Sequence, residues 1–82
     1  VTDADIREDI GRVLQGIDAA LEARIRQARQ DGEIGQHQRP GDLARIASAV
    51  LHSLAVRART GTPQRQLERL ADATIQLIVA AA

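Results

Sequence analysis

The sequence predicts an all-α protein built from three amphipathic helices. Apolar residues recur three and four positions apart in three separate segments of the chain. Residues typical of helix boundaries flank these segments: a threonine at position 2, a glycine at position 32, and prolines at positions 40 and 63. The polar stretch from Glu33 to Arg39 has no period. We therefore expect an almost entirely helical chain with no β-strand.

The first predicted helix begins after Thr2, whose hydroxyl can accept a hydrogen bond from a free N–H of the first turn. It ends at Asp31-Gly32, where glycine can adopt the left-handed conformation that closes many helices. Gly11 and Gly16 each weaken this helix by up to about 1 kcal/mol relative to alanine, so a kink near them is compatible with the sequence. Its apolar stripe consists of Ile6, Ile10, Val13, Leu14, Ile17, Leu21, Ile25 and Ala28.

The second predicted helix starts with Pro40 at its first position and runs to about Thr60. Its core-facing stripe consists of Leu43, Ala47, Val50, Leu51, Leu54 and Ala58. A second strip lies outside that arc and carries mostly small side chains, which would let another helix approach closely. This strip consists of Ala49, Ser53 and Val56, with Ile46 beside them.

The third predicted helix is expected to have Thr62 as its N-cap and Pro63 as its first residue. Its main stripe consists of Leu67, Leu70, Ala71, Thr74, Leu77 and Ile78. Ile75 and Val79 widen the apolar arc towards the end of the helix, beyond what one neighbouring hairpin can cover. A wide arc of this kind belongs either to a deeply buried helix or to an intermolecular interface.

The composition favours an intermolecular interface over a deeply buried third helix. A core of 82 residues is marginal without disulfides, metal or a partner chain, and the sequence contains no cysteine. We therefore predict a two-fold symmetric homodimer built from the second and third helices. The predicted interface residues are Ala49, Ser53, Val56, Leu70, Thr74, Ile75, Leu77, Ile78 and Val79.

The charge balance and the hydropathy of the chain limit the kinds of partner and the locations that the sequence favours. Eleven arginines balance eleven acidic residues, so nothing in the charge favours nucleic acid or an anionic membrane as a direct partner of this segment. No apolar run is long enough to span a bilayer and none resembles a signal peptide, so we expect a cytoplasmic location. Because the chain starts with valine, we expect a fragment or a trimmed form of something longer, forming a single domain over residues 1–82.

Residues with catalytic or metal-binding chemistry are few. His37 and His52 have no carboxylate at metal-ligand spacing, so the sequence predicts no metal site, no cofactor and no enzyme activity. Arg24 lies near the edge of the first apolar stripe. It either rests its aliphatic stem on the core or reaches a buried carboxylate or an acidic ligand. Arg57 either pairs with an acidic residue across an interface or is simply solvated.

Three segments carry a resemblance to a known family: "RIRQARQDGEI", "PGDLARIASAVLHSLAVRARTG" and "TPQRQLERLADATIQLI". Their order resembles the C-terminal region of TetR-family transcriptional regulators over about residues 20 to 80. The chain departs from the family at Ser53, where glycine is frequent, and at Arg39, where an acidic cap is frequent.

The resemblance implies a specific role. The last two helices of two subunits would form an intermolecular four-helix bundle, and the preceding helices would wall a pocket for an unknown small-molecule effector. A separate N-terminal helix-turn-helix domain, which these residues do not resemble, would bind operator DNA in a repressor that the effector releases. The candidate pocket residues are Leu21, Arg24, Ile25, Leu51 and Leu54.

Two other functions remain open. One is a free-standing dimeric helical interaction module with no effector. The other is a small all-helical enzyme similar to chorismate mutases, which bind a dicarboxylate between cationic groups that usually include a lysine. This chain has no lysine, and most of its arginines lie opposite the apolar stripes, which disfavours the enzyme.

Overall fold

The computed structural model describes residues 2–82 and contains three α-helices. Helix α1 spans Asp3–Gln30, α2 spans Pro40–Arg59 and α3 spans Gln64–Ala81. No strand occurs in residues 2–82. The predicted all-α class and the three-helix order are confirmed.

Helix α1 has the ends that its sequence predicts. The Asp5 N–H donates to Thr2 Oγ1, and the Thr2 N–H donates in return to Asp5 Oδ2, each at 3.2 Å. This reciprocal pair is a capping box. Gly32 follows the helix with φ 73°, the left-handed conformation that favours glycine. The helix is continuous through Gly11 and Gly16, so the weaker helix propensity of glycine causes no break there.

Helix α2 begins with Pro40, as predicted, and its N-cap residue Arg39 makes no side-chain capping bond. The predicted start of α3 is wrong by one residue. Pro63, with ψ 142°, is the N-cap, and Thr62 lies outside the helix without a capping hydrogen bond. The Thr62 N–H instead donates to the carbonyl of Arg57 at 3.0 Å and closes the end of α2. The turn after α2 therefore determines where α3 starts.

Hydrogen bonds hold the loop between α1 and α2 to the end of α1 and to the end of α3. Arg29 donates from Nη1 to the carbonyl of Gln38 at 3.4 Å and from Nη2 to that of Gln36 at 3.5 Å. The His37 N–H donates to the carbonyl of Ala82 at 3.3 Å. Ala82 is buried, so the end of α3 rests against this loop.

The three helices form one layer with α2 in the middle. Helix α2 packs against both α1 and α3, whereas no Cα atom of α1 lies within 8 Å of a Cα atom of α3. The Cα extents of 45 × 30 × 15 Å make the molecule about half as thick as it is wide. The buried residues are small or lie along α2 and its contacts: Ala28, Pro40, Leu43, Ala44, Ser48 and Ala82.

This layer exposes more surface than a compact chain of its size. Its accessible surface is 6251 Å², whereas about 4,800 Å² is expected for a folded monomer of 8.8 kDa. The radius of gyration is 14.7 Å, against about 12 Å for a compact domain of this length. No large side chain is fully buried among the described residues. The layer thus has two broad faces and little interior.

Candidate functional site

The contact between α2 and α3 divides the layer into two apolar faces. Val50, Thr74 and Ile78 line cavities on both sides of this contact. On one side, two adjoining grooves of about 440 Å³ and 240 Å³ share Leu21 and Ile75. We call this side, which involves all three helices, the groove face. The opposite side, formed by α2 and α3 alone, is the hairpin face.

Helical geometry assigns the remaining apolar residues of α2 and α3 to these faces. At about 100° per residue, the strip from Ile46 to Val56 points roughly 150° away from Leu51 and its groove-lining neighbours. In the same way, Leu70 and Leu77 lie nearly opposite Val79 on α3. The hairpin face consists of Ile46, Ala49, Ser53, Val56, Leu70 and Leu77.

The groove face brings the five candidate pocket residues together. Leu21, Arg24 and Ile25 line the larger groove. Leu21 also lines the smaller groove, together with Leu51 and Leu54. The grooves meet along α2, so these residues border one continuous apolar depression that is open to solvent on one side.

Arg24 lies at the rim of this depression. Its Nη2 is 3.4 Å from Glu33 Oε2, and the two side chains are 64% and 51% exposed. The sequence left two roles open for Arg24, an aliphatic stem resting on the core or a contact with a buried carboxylate or an acidic ligand. The carboxylate that it meets here is an exposed one from the loop after α1. An exposed pair of this length contributes little to stability, so the guanidinium can exchange Glu33 for another anion at little cost.

The apolar stripe of α1 is less buried than its periodicity predicts. Ile6, Ile10 and Val13 are all about half exposed or more. Helix α1 has 28 residues and α2 has 20, so α1 is longer by about 12 Å. The start of α2 lies beside residues 15–26 of α1. The exposure of Ile6, Ile10 and Val13 indicates that the first turns of α1 extend beyond the part that α2 covers.

The predicted interface residues are divided between the two faces. Ala49, Ser53, Val56, Leu70 and Leu77 lie on the hairpin face, whereas Ile75 and Val79 line the groove face. Thr74 and Ile78 lie at the α2–α3 contact between them. Helix periodicity places all of these residues on broad apolar arcs, but it does not show that α2 divides the arc of α3 in two.

The hairpin face combines exposed large side chains with small ones. Val56 is 62% exposed and Leu77 is 71% exposed, and Ile46 is also more than half exposed. Ser53 Oγ accepts a hydrogen bond from Arg57 Nε at 3.0 Å. This bond within α2 gives the hydroxyl oxygen at the centre of the face a donor. The pairing of Arg57 with an acidic residue across an interface stays a prediction.

A polar cleft lies between α1 and the start of α2. Glu22 accepts hydrogen bonds from Arg26 at 3.1 and 3.2 Å, and one carboxylate oxygen of Glu22 lies close to Gly41 in the first turn of α2. A carboxylate at this position interacts favourably with the helix dipole. Within residues 2–82, no three side chains of the types that bind metals gather at one place.

No family model, curated protein or solved structure matches this chain. The resemblance to TetR-family regulators therefore remains a prediction from the sequence. Among the helices of residues 2–82, none has the length and apolar character needed to cross a bilayer.

Proposed function

We propose that this chain is the dimerisation and effector-binding region of a TetR-like transcriptional regulator and has no enzymatic role. In this proposal two copies associate through α2 and α3 as an intermolecular four-helix bundle, and the groove face contributes to a small-molecule pocket. The observation that carries the proposal is the single-layer architecture, which leaves apolar side chains on both faces without a covering element.

The surplus surface is large enough for a stable dimer. The chain exposes about 1,500 Å² more than a compact monomer of its mass. A standard interface removes about 800 Å² from each partner, and at roughly 25 cal/mol per Å² that is on the order of 20 kcal/mol before the costs of association. One interface of this size uses about half of the surplus. The remainder is shared between the other face and the first turns of α1, where Ile6, Ile10 and Val13 are about half exposed or more.

The groove face suits a mainly apolar ligand. Its larger groove is lined by aliphatic side chains, with Arg24 as the cationic group at the rim. A bound small molecule usually loses 70–90% or more of its surface to the protein, roughly what an enclosed pocket provides. The open groove supplies one wall of such a pocket, so we expect the isolated chain to bind an effector weakly. The balanced charge of the chain supports assigning the operator contact to a separate DNA-binding domain.

Sedimentation equilibrium at micromolar concentration tests the proposal directly. We expect a mass twice the 8.8 kDa of one chain. A monomer mass across the concentration range would remove the main support for a dimerising regulator and leave a lone helical domain. If the chain is dimeric but the parent protein binds no operator DNA, the free-standing helical module becomes the better description.

A further inference from the structure

We propose that the groove face binds the anion of an alkyl carboxylic acid, with the carboxylate on Arg24 and the hydrocarbon chain along the two grooves. Glu33 is the carboxylate of the protein itself that this ligand displaces from Arg24. The inference rests on the proposed effector-binding role of the groove face and adds the chemical class of the ligand.

The depression on the groove face is charged at one end and purely apolar at the other. Its larger groove has Arg24 and Glu33 in the wall, beside Val79 near the end of α3. The smaller groove continues towards Ala71 and is lined by no charged side chain. The α3 residues that line the two grooves, from Ala71 to Val79, extend over about 12 Å. A ligand with one charged end and an apolar chain of similar length matches this arrangement.

The walls beyond Arg24 and Glu33 offer a ligand almost no hydrogen bond. Thr74 carries the one hydroxyl among the side chains that line the two grooves, and its Oγ1 already donates to the carbonyl of Leu70 at 2.7 Å. The other lining side chains are aliphatic, and the sequence has no aromatic residue against which a flat ring could stack. Polar groups along the ligand would lose their hydrogen bonds to water without replacement. An alkyl chain therefore suits the grooves best.

The ion pair at the rim leaves room for a second carboxylate. Arg24 Nη2 meets Glu33 Oε2 at 3.4 Å, and among residues 2–82 the guanidinium makes no other hydrogen bond. The backbone of Glu33 is fixed, because its N–H donates to the carbonyl of Ala28 at 2.9 Å in the turn that closes α1. A ligand carboxylate has no such restriction and can accept two parallel N–H bonds from the planar guanidinium. It is thus a better partner for Arg24 than Glu33 is.

The cavity on the hairpin face lacks this combination of groups. It has a volume of about 230 Å³, and no charged side chain lines it. Arg57 is not among its lining residues and already donates to Ser53. An amphipathic anion therefore finds an apolar channel and a cation in the same cavity only on the groove face.

NMR titration of the backbone amide signals measures weak binding to the chain, with octanoate, octanol and butyrate as probes below any micelle-forming concentration. We expect octanoate to shift the signals of Ile75 and Val79, and to bind about fivefold more tightly than octanol, which lacks the charge. Butyrate keeps the carboxylate but lacks most of the chain, so it should bind about tenfold more weakly than octanoate.

Two variants of the ion pair separate the carboxylate contact from general adhesion of the alkyl chain. Arg24→Ala should lower the affinity for octanoate about fivefold, to that for octanol, and leave octanol binding unchanged. Glu33→Gln removes the competing carboxylate and should raise the affinity for octanoate roughly twofold. Arg12→Ala is the matched control, because Arg12 forms an exposed pair with Asp9 on the same helix and lines neither groove. It should leave the affinity for octanoate unchanged.

Three results would overturn the inference: equal affinities for octanoate and octanol, a preference for octanoate that survives Arg24→Ala, or tighter binding of octyltrimethylammonium than of octanoate. The last result would assign the charged contact to Glu33. Sedimentation equilibrium tests the proposed dimer separately. A dimer without the octanoate preference refutes this ligand class alone, and a monomer with that preference refutes the proposed dimer alone.

Discussion

Gly35 lies where the loop between α1 and α2 meets the end of α3, and its replacement by alanine tests whether these segments touch. A Cβ atom at Gly35 would lie 2.6 Å from the carbonyl oxygen of Ala82 and 2.9 Å from its carbonyl carbon. Both are backbone atoms, so no rotation of a side chain can relieve the overlap. Gly35 does not have a positive φ, so the effect comes from this contact alone.

The expected loss of stability in Gly35→Ala depends on which contacts must separate to make room for the added methyl group. Separating the loop from α3 breaks the hydrogen bond from His37 to Ala82, worth about 0.5–1.5 kcal/mol, and exposes the buried Ala82. Forcing an extra methyl group into a packed site typically costs about 1–3 kcal/mol. Alanine also restricts the unfolded chain, which stabilises the folded state by about 0.4–1 kcal/mol. We expect Gly35→Ala to lower the free energy of unfolding by about 1–2 kcal/mol.

Gly16→Ala is the matched control, because it makes the same chemical change inside α1, where an added Cβ meets nothing within 4 Å. We expect Gly16→Ala to raise the free energy of unfolding by about 0.5–1 kcal/mol. Urea denaturation followed by circular dichroism measures both variants, at one protein concentration because the proposed dimerisation would make stability depend on concentration. If Gly35→Ala is as stable as Gly16→Ala, the end of α3 does not rest on this loop.

Two further predictions concern a helix cap and the groove. Thr2→Ala removes a capping box and should cost about 1 kcal/mol, whereas Thr62→Ala should change the free energy of unfolding by less than about 0.5 kcal/mol. Equal losses in urea denaturation would mean that Thr62 caps α3 after all. In the proposed regulator, Arg24→Ala should weaken the effector response, measured as operator release, because it removes the cation at the groove rim. An unchanged response would exclude Arg24 from the pocket and return it to the role of a surface pair with Glu33.

The local order of the chain follows from the sequence because helix boundaries depend on interactions between residues a few positions apart. Thr2 and Asp5, which cap the start of α1, are three residues apart, and Gly32 follows its C-cap residue. Pro40 lacks an N–H, but the first turn of α2 has no intrahelical acceptor for that N–H, so the helix loses no hydrogen bond. The one boundary that the sequence misplaced is at Thr62. Thr62 and Pro63 are adjacent candidates for the N-cap of α3, and the Thr62 N–H closes the end of α2 instead.

The division of the apolar surface into two faces was decided only by the tertiary structure. The periodicity of α3 places Ile75 and Leu77 in one wide arc, and only the position of α2 shows that they lie on opposite sides of the layer. In the same way, the stripe of α1 predicts burial of Ile6, but the shorter α2 does not reach it. Helix periodicity determines which side chains of one helix share a stripe. What covers that stripe depends on contacts between residues far apart in sequence, which a local pattern does not encode.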